Sequence, residues 1–444
     1  MNDARQPPSE GDVNVSPARA AWRASLSDAA RAVLDEDERY FLRQSLSTPC
    51  FMQIVRAEGA VLTDIDGQHI FDFHGNSVHQ LGHGHPKVID AIRREMESLP
   101  FCPRRFANAT ATALARSLVE GAPGDLDKVL FAPSGAAAIS MALKLARYAT
   151  DRHKTLSLWD SFHGANLDAI GVGGEALFRR GLGPMMPGAE HLPPLNLASR
   201  FFGQDRPFER FADYIDYVLE IQGDVSALIA EPVRWTTVEA PPPEFWPRIK
   251  DSCHRHGALL IFDEIPSCLA RTGSLYACEL FGTTPDILVI GKGLGGGIMP
   301  LAAILAAGRL DRAPHAALGH YTHEKSPVAC AAGLATLEVI KEEKLIDRAR
   351  ELGRRGLERL RAIQTNHSVI RDVRDLGCYF GVEIGGDDPA GLAERLLYRC
   401  LKLGLSFKIG GGNVVTLCPP LTIPFEQFDE ALSIFDHAVS GLES

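Results

Sequence analysis

Asp286-Ile-Leu-Val-Ile-Gly-Lys292-Gly-Leu-Gly-Gly-Gly-Ile-Met-Pro300 is the stretch on which the reading of this chain turns. Its apolar run, Ile287 to Ile290, predicts a buried strand. The run ends in Gly291-Lys292-Gly293, with three more glycines close behind. A lysine at the mouth of a buried strand suits Schiff-base chemistry. The glycines let the backbone approach something flat or bulky. A solvated lysine in a glycine-rich loop carries the same letters, so the rest of the chain must decide.

Outward from this stretch, between residues 108 and 307, helical patterns alternate with short apolar runs. The predicted strands are Val129–Ala132, Thr155–Trp159, Ala227–Ala230, Leu259–Phe262, Ile287–Ile290 and Ala302–Leu305. Unalternating runs separated by helices indicate an α/β fold with a mainly parallel sheet covered on both faces. Ligands of such sheets bind at the carboxyl ends of the strands. Residues 186–213, rich in proline and polar residues, read as a surface loop. Helices at 327–343, 345–365, 389–403 and 424–441, with strands at 377–384 and 414–418, predict a smaller α+β domain. Before the sheet, residues 18–46 are helical in pattern. Residues 60–73 alternate around Asp66-Gly67, a hairpin signal. His83 and His85, two apart with glycine and proline around them and no third ligand nearby, read as a turn before a helix over 86–98.

A length of 444 residues predicts two or three domains. The formal charge of −10 argues against nucleic acid and anionic membrane as partners. No apolar run reaches the length of a membrane span. The polar N-terminus lacks the apolar core of a signal peptide, and residues 1–17 read as a disordered arm. Nine cysteines are spread singly, an odd count without a CxxC pair. That predicts free thiols in a reducing cytoplasm and no metal site.

Three strand ends carry the other informative residues. Ser134-Gly135-Ala136 follows a strand and opens a helix, where free backbone amides can bind phosphate, although Ser134 could be an ordinary N-cap. Phe162 and His163 end the next strand, where an aromatic ring can stack on a planar ligand or pack into the core. Asp263 ends Leu259–Phe262, where a buried carboxylate needs a cation or donor. A protonated pyridine nitrogen would serve, and so would an internal ion pair. A phosphate cradle, a stacking ring, a carboxylate and a glycine-flanked lysine are together what pyridoxal 5′-phosphate requires.

With these motifs the chain resembles the class III (ω-) aminotransferases, fold type I enzymes of pyridoxal phosphate. The matching stretches include DIDGQHIFDF, LGHGHPKVIDAI, SGAAAISMALKLAR, LIFDEI with ARTG, PDILVIGKGLGGGIMPLAA and SPVACAAGLATLEVI. The resemblance implies Lys292 as the Schiff-base lysine and Asp263 as partner of the pyridine nitrogen. It implies Ser134, Gly135 and Ala136 at the phosphate, with Phe162 and His163 at the ring. Glu231 and Ile265 would border the cofactor, and Thr322 would reach the phosphate of a neighbouring subunit. It also implies a homodimer or dimer of dimers. The expected division is a helical segment over 18–59 packing with the small domain, a large domain over 60–325 and a small domain over 326–444.

Departures from the family pattern bear on the substrate. Thr416 stands where many members place an arginine that grips the substrate carboxylate. Thr236 stands where some place its glutamate partner. Arg234 and Pro266 each replace a glutamine, and Ala137 replaces a glutamate. The carboxylate clamp is missing, while Arg234, Arg105 and Lys408 offer cations for a phosphonate or phosphate. The phrases HGNSVHQ, SLPFCPRRF, AEPVR and LGHYTHEKSPV resemble ammonia-lyases of this superfamily that act on (R)-1-hydroxy-2-aminoethylphosphonate. The expectation is such a lyase, with an ω-aminotransferase as the alternative.

Overall fold

The structure, a computed structural model, describes residues 16–46 and 50–442. They form two compact units. The larger takes Pro86–Trp235 and Glu239–Ile346. The smaller takes the described residues up to His85, the turn Thr236–Val238 and those from Asp347 onward. The smaller unit begins with an antiparallel meander of β1 (Ile54–Glu58), β2 (Val61–Asp64) and β3 (His69–Asp72). The Asp66-Gly67 hairpin forms as its letters predict. Asp64 Oδ1 accepts the amides of Asp66 and Gln68, and Gly67 takes φ +83°.

The larger unit is built on one seven-stranded sheet. Its strands are β4 (Leu126–Ala132), β5 (Lys154–Leu158), β6 (Ala189–Leu192), β7 (Val225–Ala230), β8 (Leu259–Asp263), β9 (Ile287–Ile290) and β10 (Ala302–Ala307). Their order is β4-β10-β9-β8-β7-β5-β6. The run from β9 to β6 is parallel, and β10 is antiparallel to both its neighbours. Strands β7, β8 and β9 are buried along their whole length, as apolar runs without alternation require when helices cover both faces. Helix Gly135–Thr150 supplies one cover, its Ala138, Ala142 and Ala146 packing in one cluster with Ile229, Ile261 and Val289. Alternation turns Phe262 the other way, edge to face with Trp246 of helix Phe245–Arg255 at 5.0 Å.

Residues 186–213 are not a plain loop. They hold β6, which pairs with β5 as an edge strand, helix Ala198–Phe202 and the start of helix Pro207–Gln222. The first two are too short to show a full hydrophobic period, so the prolines around them dominate the sequence signal.

The rest of the smaller unit contains β11 (Ile370–Asp375), β12 (Phe380–Ile384), β13 (Leu405–Ser406), β14 (Lys408–Gly410) and β15 (Val414–Leu417). Four of these form an antiparallel sheet ordered β11-β12-β15-β14. The fifth, β13, pairs in parallel with β3. That pairing joins the N-terminal meander to the C-terminal residues, where a large domain beginning at residue 60 was expected. Helix Pro327–Glu342, expected in the small domain, lies in the larger unit against helices Pro86–Ser98 and Ala109–Glu120.

Of the expected disordered arm, residues 1–15 lie outside the described residues. Ser16 Oγ caps the amide of Arg19 and Pro17 takes the first helical position, so helix Pro17–Ser25 starts at the end of that arm. The helical pattern over 18–46 divides in two, because Ser27 caps a second helix, Asp28–Tyr40. The first helix packs on helix Pro389–Leu403, with Arg19 Nε donating to Tyr398 Oη at 3.0 Å and Trp22 stacked on Tyr398. No helix among the described residues is long and apolar enough to cross a membrane. They contain no group of His, Cys, Asp or Glu able to hold a metal ion. None of the nine cysteines is in a disulfide.

Candidate active site

Lys292 follows β9 after one residue, Gly291, and is half-buried at φ +48°. Lysine rarely takes this left-handed backbone, and such strain collects at functional sites. The glycines behind it do something the sequence did not reveal. Gly296 takes φ +67°, and a Cβ there would lie 2.6 Å from Val88 Cγ1. The close approach that needs glycine is to helix Pro86–Ser98, so this glycine seats the lysine loop against the protein itself.

Asp263 ends β8, the strand next to β9. It is 2 % exposed, as is His163, which follows β5. His163 Nδ1 donates to Asp263 Oδ2 at 2.8 Å, and Ile265 N donates to Oδ1 at 3.1 Å. A carboxylate can accept about four hydrogen bonds. Two are used here, so Asp263 can still meet a protonated ring nitrogen. The sequence placed His163 beside the ring and missed its bond to Asp263. The available signal was that a buried carboxylate at a neighbouring strand end must find a donor.

Ser134 caps helix Gly135–Thr150 by accepting the amide of Ala137 at 3.2 Å. The first main-chain bond of the helix runs from Ala138 N to Ser134 O. The amides of Gly135 and Ala136 precede it and present the positive end of the helix, as a phosphate requires. Three strand ends converge on this turn. Ile265 Cδ1 sits 2.8 Å from where a Gly135 Cβ would be, and its Cγ2 lies 3.4 Å from a Gly291 Cβ position. Gly164, at φ +120°, presses on Ala136, whose Cβ would be 2.7 Å from a side chain there. Phe162, half-buried, lies two residues before Gly164, with Phe178 tilted against it at 4.7 Å.

Glu231, 5 % exposed, ends the site beyond β7. Its Oε1 accepts Phe162 N at 3.3 Å and Arg234 Nη1 at 2.6 Å, and its Oε2 accepts Trp235 N at 3.2 Å. Arg234 Nη2 donates to Glu175 Oε1 at 2.8 Å. Arg234, expected as an anion-binding cation, therefore sits between two buried carboxylates. Glu175 and Phe178 were not found from sequence, because nothing in GGEALFRR distinguishes a buried glutamate from a solvated one.

The remaining expected residues are more dispersed. Thr322 is exposed, in a loop fixed by buried Glu324, whose Oε2 accepts the amides of His320 and Tyr321. Arg104 holds the same glutamate through a bond of 3.0 Å, while Arg105 and Lys325 are exposed. Lys408 and Thr416 lie in the smaller unit, opposite one another on β14 and β15. Thr416 is buried and donates to Lys408 O at 3.1 Å. Thr236 is buried in that unit as well.

Known proteins resemble the chain over most of its length. The family model for class III aminotransferases matches residues 43–439. The chain is 46% identical over 454 residues to the (R)-1-hydroxy-2-aminoethylphosphonate ammonia-lyase of Vibrio splendidus, covering 97% of this chain and 95% of that protein. It is 31% identical to isoleucine 2-epimerase of Lentilactobacillus buchneri, covering 94% and 96%. An amine transaminase from an uncultivated Pseudomonas species, solved with pyridoxal phosphate bound, superimposes with a TM-score of 0.81 at 29% identity over 88% of this chain and 95% of that one. The chain belongs to the class III aminotransferase family and is a fold type I enzyme of pyridoxal 5′-phosphate.

Proposed function

We propose that the chain is an ammonia-lyase converting (R)-1-hydroxy-2-aminoethylphosphonate to phosphonoacetaldehyde and ammonia. The observation that carries this reading is the pair Thr416 and Thr236, both buried and uncharged. They stand where the resemblance places a carboxylate-gripping arginine and its glutamate. A transaminase must bind a keto acid by its carboxylate, and a lyase has no second substrate to hold. Likeness to the Vibrio ammonia-lyase supports the choice of substrate.

When bound, pyridoxal phosphate supplies an electron sink for the carbon bearing the substrate amine. The amides of Gly135 and Ala136, with Ser134, would hold its phosphate. Phe162 would pack on its ring, with Ile265 beside it. Asp263, fixed by His163, would accept the ring N–H and keep it protonated. Lys292 Nζ takes the proton from the amine-bearing carbon. The hydroxyl on the adjacent carbon then leaves as water. Water re-enters as the amine is lost, so the net change is loss of ammonia with no oxidant. Arg105 and Lys408 are candidates for the phosphonate. Arg234 is already engaged by Glu231 and Glu175 and is the weaker candidate of the three.

Exposed Thr322 fits a homodimer or dimer of dimers in which it reaches the site of a second copy. A cytoplasmic role in phosphonate breakdown fits the free thiols. The test is incubation of purified enzyme with the hydroxylated aminophosphonate and no keto acid. Ammonia and phosphonoacetaldehyde are expected in equal amounts, and their absence would sink the reading. The family match favours a second reading, an ω-aminotransferase. It predicts turnover of an amine that depends on added keto acid.

A further inference from the structure

The bridge Glu175–Arg234–Glu231 depends on an arginine at position 234, where the class III pattern puts a glutamine. We infer that Arg234 is a positioning residue that fixes Phe162 over the cofactor site, and not a ligand of the substrate's anionic group. The inference rests on the cofactor assignment and is independent of the choice between lyase and transaminase.

Glu231 connects Arg234 to the main chain of the site. One carboxylate oxygen receives both the guanidinium and the amide of Phe162, and the other receives the amide of Trp235. Glu175 anchors the far side of the guanidinium. Its own amide, with that of Gly174, donates to Ser161 O, one residue before Phe162. Three residues on from Glu175, Phe178 leans on the Phe162 ring. Arg234 thus ties together two segments that touch Phe162 from either side. Glu175 and Glu231 are 2 % and 5 % exposed, and a buried carboxylate without a cation is costly. A third acid, Asp160, has its carboxyl raised by burial and lies close enough for Arg234 to oppose that rise.

Charge decides against a substrate role. Two carboxylates bracket the one guanidinium and offset its positive charge, which weakens its pull on a dianionic phosphonate. A phosphonate clamp would instead need the guanidinium to face the ligand with both donors of one edge. Here its two terminal nitrogens donate to two different glutamates.

The test uses Arg234→Gln, Glu175→Gln and the double variant. The double variant removes one cation and one anion together and so keeps the wild-type net charge. Each protein is stripped of cofactor and titrated with pyridoxal phosphate, following the absorption and induced circular dichroism of the bound form. KM is measured for a phosphonate substrate and for a neutral amine. Arg234→Gln should weaken cofactor binding roughly tenfold or more. The double variant should recover most of that loss, and the ratio of the two KM values should stay unchanged in all three. Unchanged cofactor affinity in Arg234→Gln, with KM raised for the phosphonate alone, would overturn the inference in favour of a substrate clamp. A double variant that binds cofactor no better than Arg234→Gln would also overturn it. If Arg234→Gln fails to fold, the double variant decides the matter, since it should fold and bind cofactor within a few-fold of wild type.

Discussion

At the scale of single residues, the site depends on charges buried where water cannot screen them. Asp263 is the clearest case. Its carboxylate is held by one imidazole and one amide. On the proposed role of Asp263, Asp263→Asn keeps the shape and removes the charge that would hold the cofactor's ring nitrogen protonated. Its kcat should fall by roughly 10²-fold or more, with a smaller change in stability. Steady-state kinetics beside thermal unfolding checks both halves. Thr416 and Thr236 offer a second case. Thr416→Arg alone buries an unpaired cation and should lower the melting temperature. Adding Thr236→Glu should recover part of the loss if the two positions form the pair seen in the family pattern. A double variant no more stable than Thr416→Arg would show that the surroundings no longer admit the pair.

At the scale of elements, the turn at Ser134–Ala136 is assembled from three strand ends that close on one helix start. Gly164 fixes the approach of the Phe162 segment to Ala136, and a side chain there meets both a forbidden φ and a Cβ at 2.7 Å. Gly164→Val should destabilise the larger unit by roughly 1–3 kcal/mol, measured by denaturant unfolding without cofactor. It should also weaken cofactor binding in the folded fraction. Ser134→Ala gives a contrast at the same helix, because it removes only the cap. The expected cost is about 1 kcal/mol. Equal effects of the two changes would count against close packing as the reason for glycine at position 164.

At the scale of the whole molecule, Glu264 links folding to pH. It is fully buried beside Asp263, and burial pushes its carboxyl up to about 7 although the amides of Ala277 and Cys278 donate to it. Between its ordinary value of 4.5 and about 7, the folded chain holds a proton that the unfolded chain has lost. Stability from this group therefore falls as pH rises through that window and is flat above it. The change should be on the order of 1–3 kcal/mol. Glu264→Gln should flatten the slope between pH 5 and 7, read from denaturant midpoints. An unchanged slope would show that other groups govern it.

The sequence by itself determined the covered sheet, the strand ends and the chemistry gathered at them. Unalternating apolar runs state burial on both faces, and Lys292, Asp263, Ser134 and Phe162 each stand within three residues of the end of such a run. Local letters carry that information, because a strand end is defined by the strand before it. Tertiary structure alone decided who meets whom. Nothing in the spacing joins His163 to Asp263, one hundred residues away, or sets Arg234 between Glu175 and Glu231. Nor does spacing show that β13 would draw the N-terminal meander into the smaller unit. The short β6 and helix Ala198–Phe202 were hidden for a related reason, since elements shorter than a full period take their identity from the neighbour they pack on. A buried charge has to find its partner across the fold, and its own sequence neighbours do not say which side chain that will be.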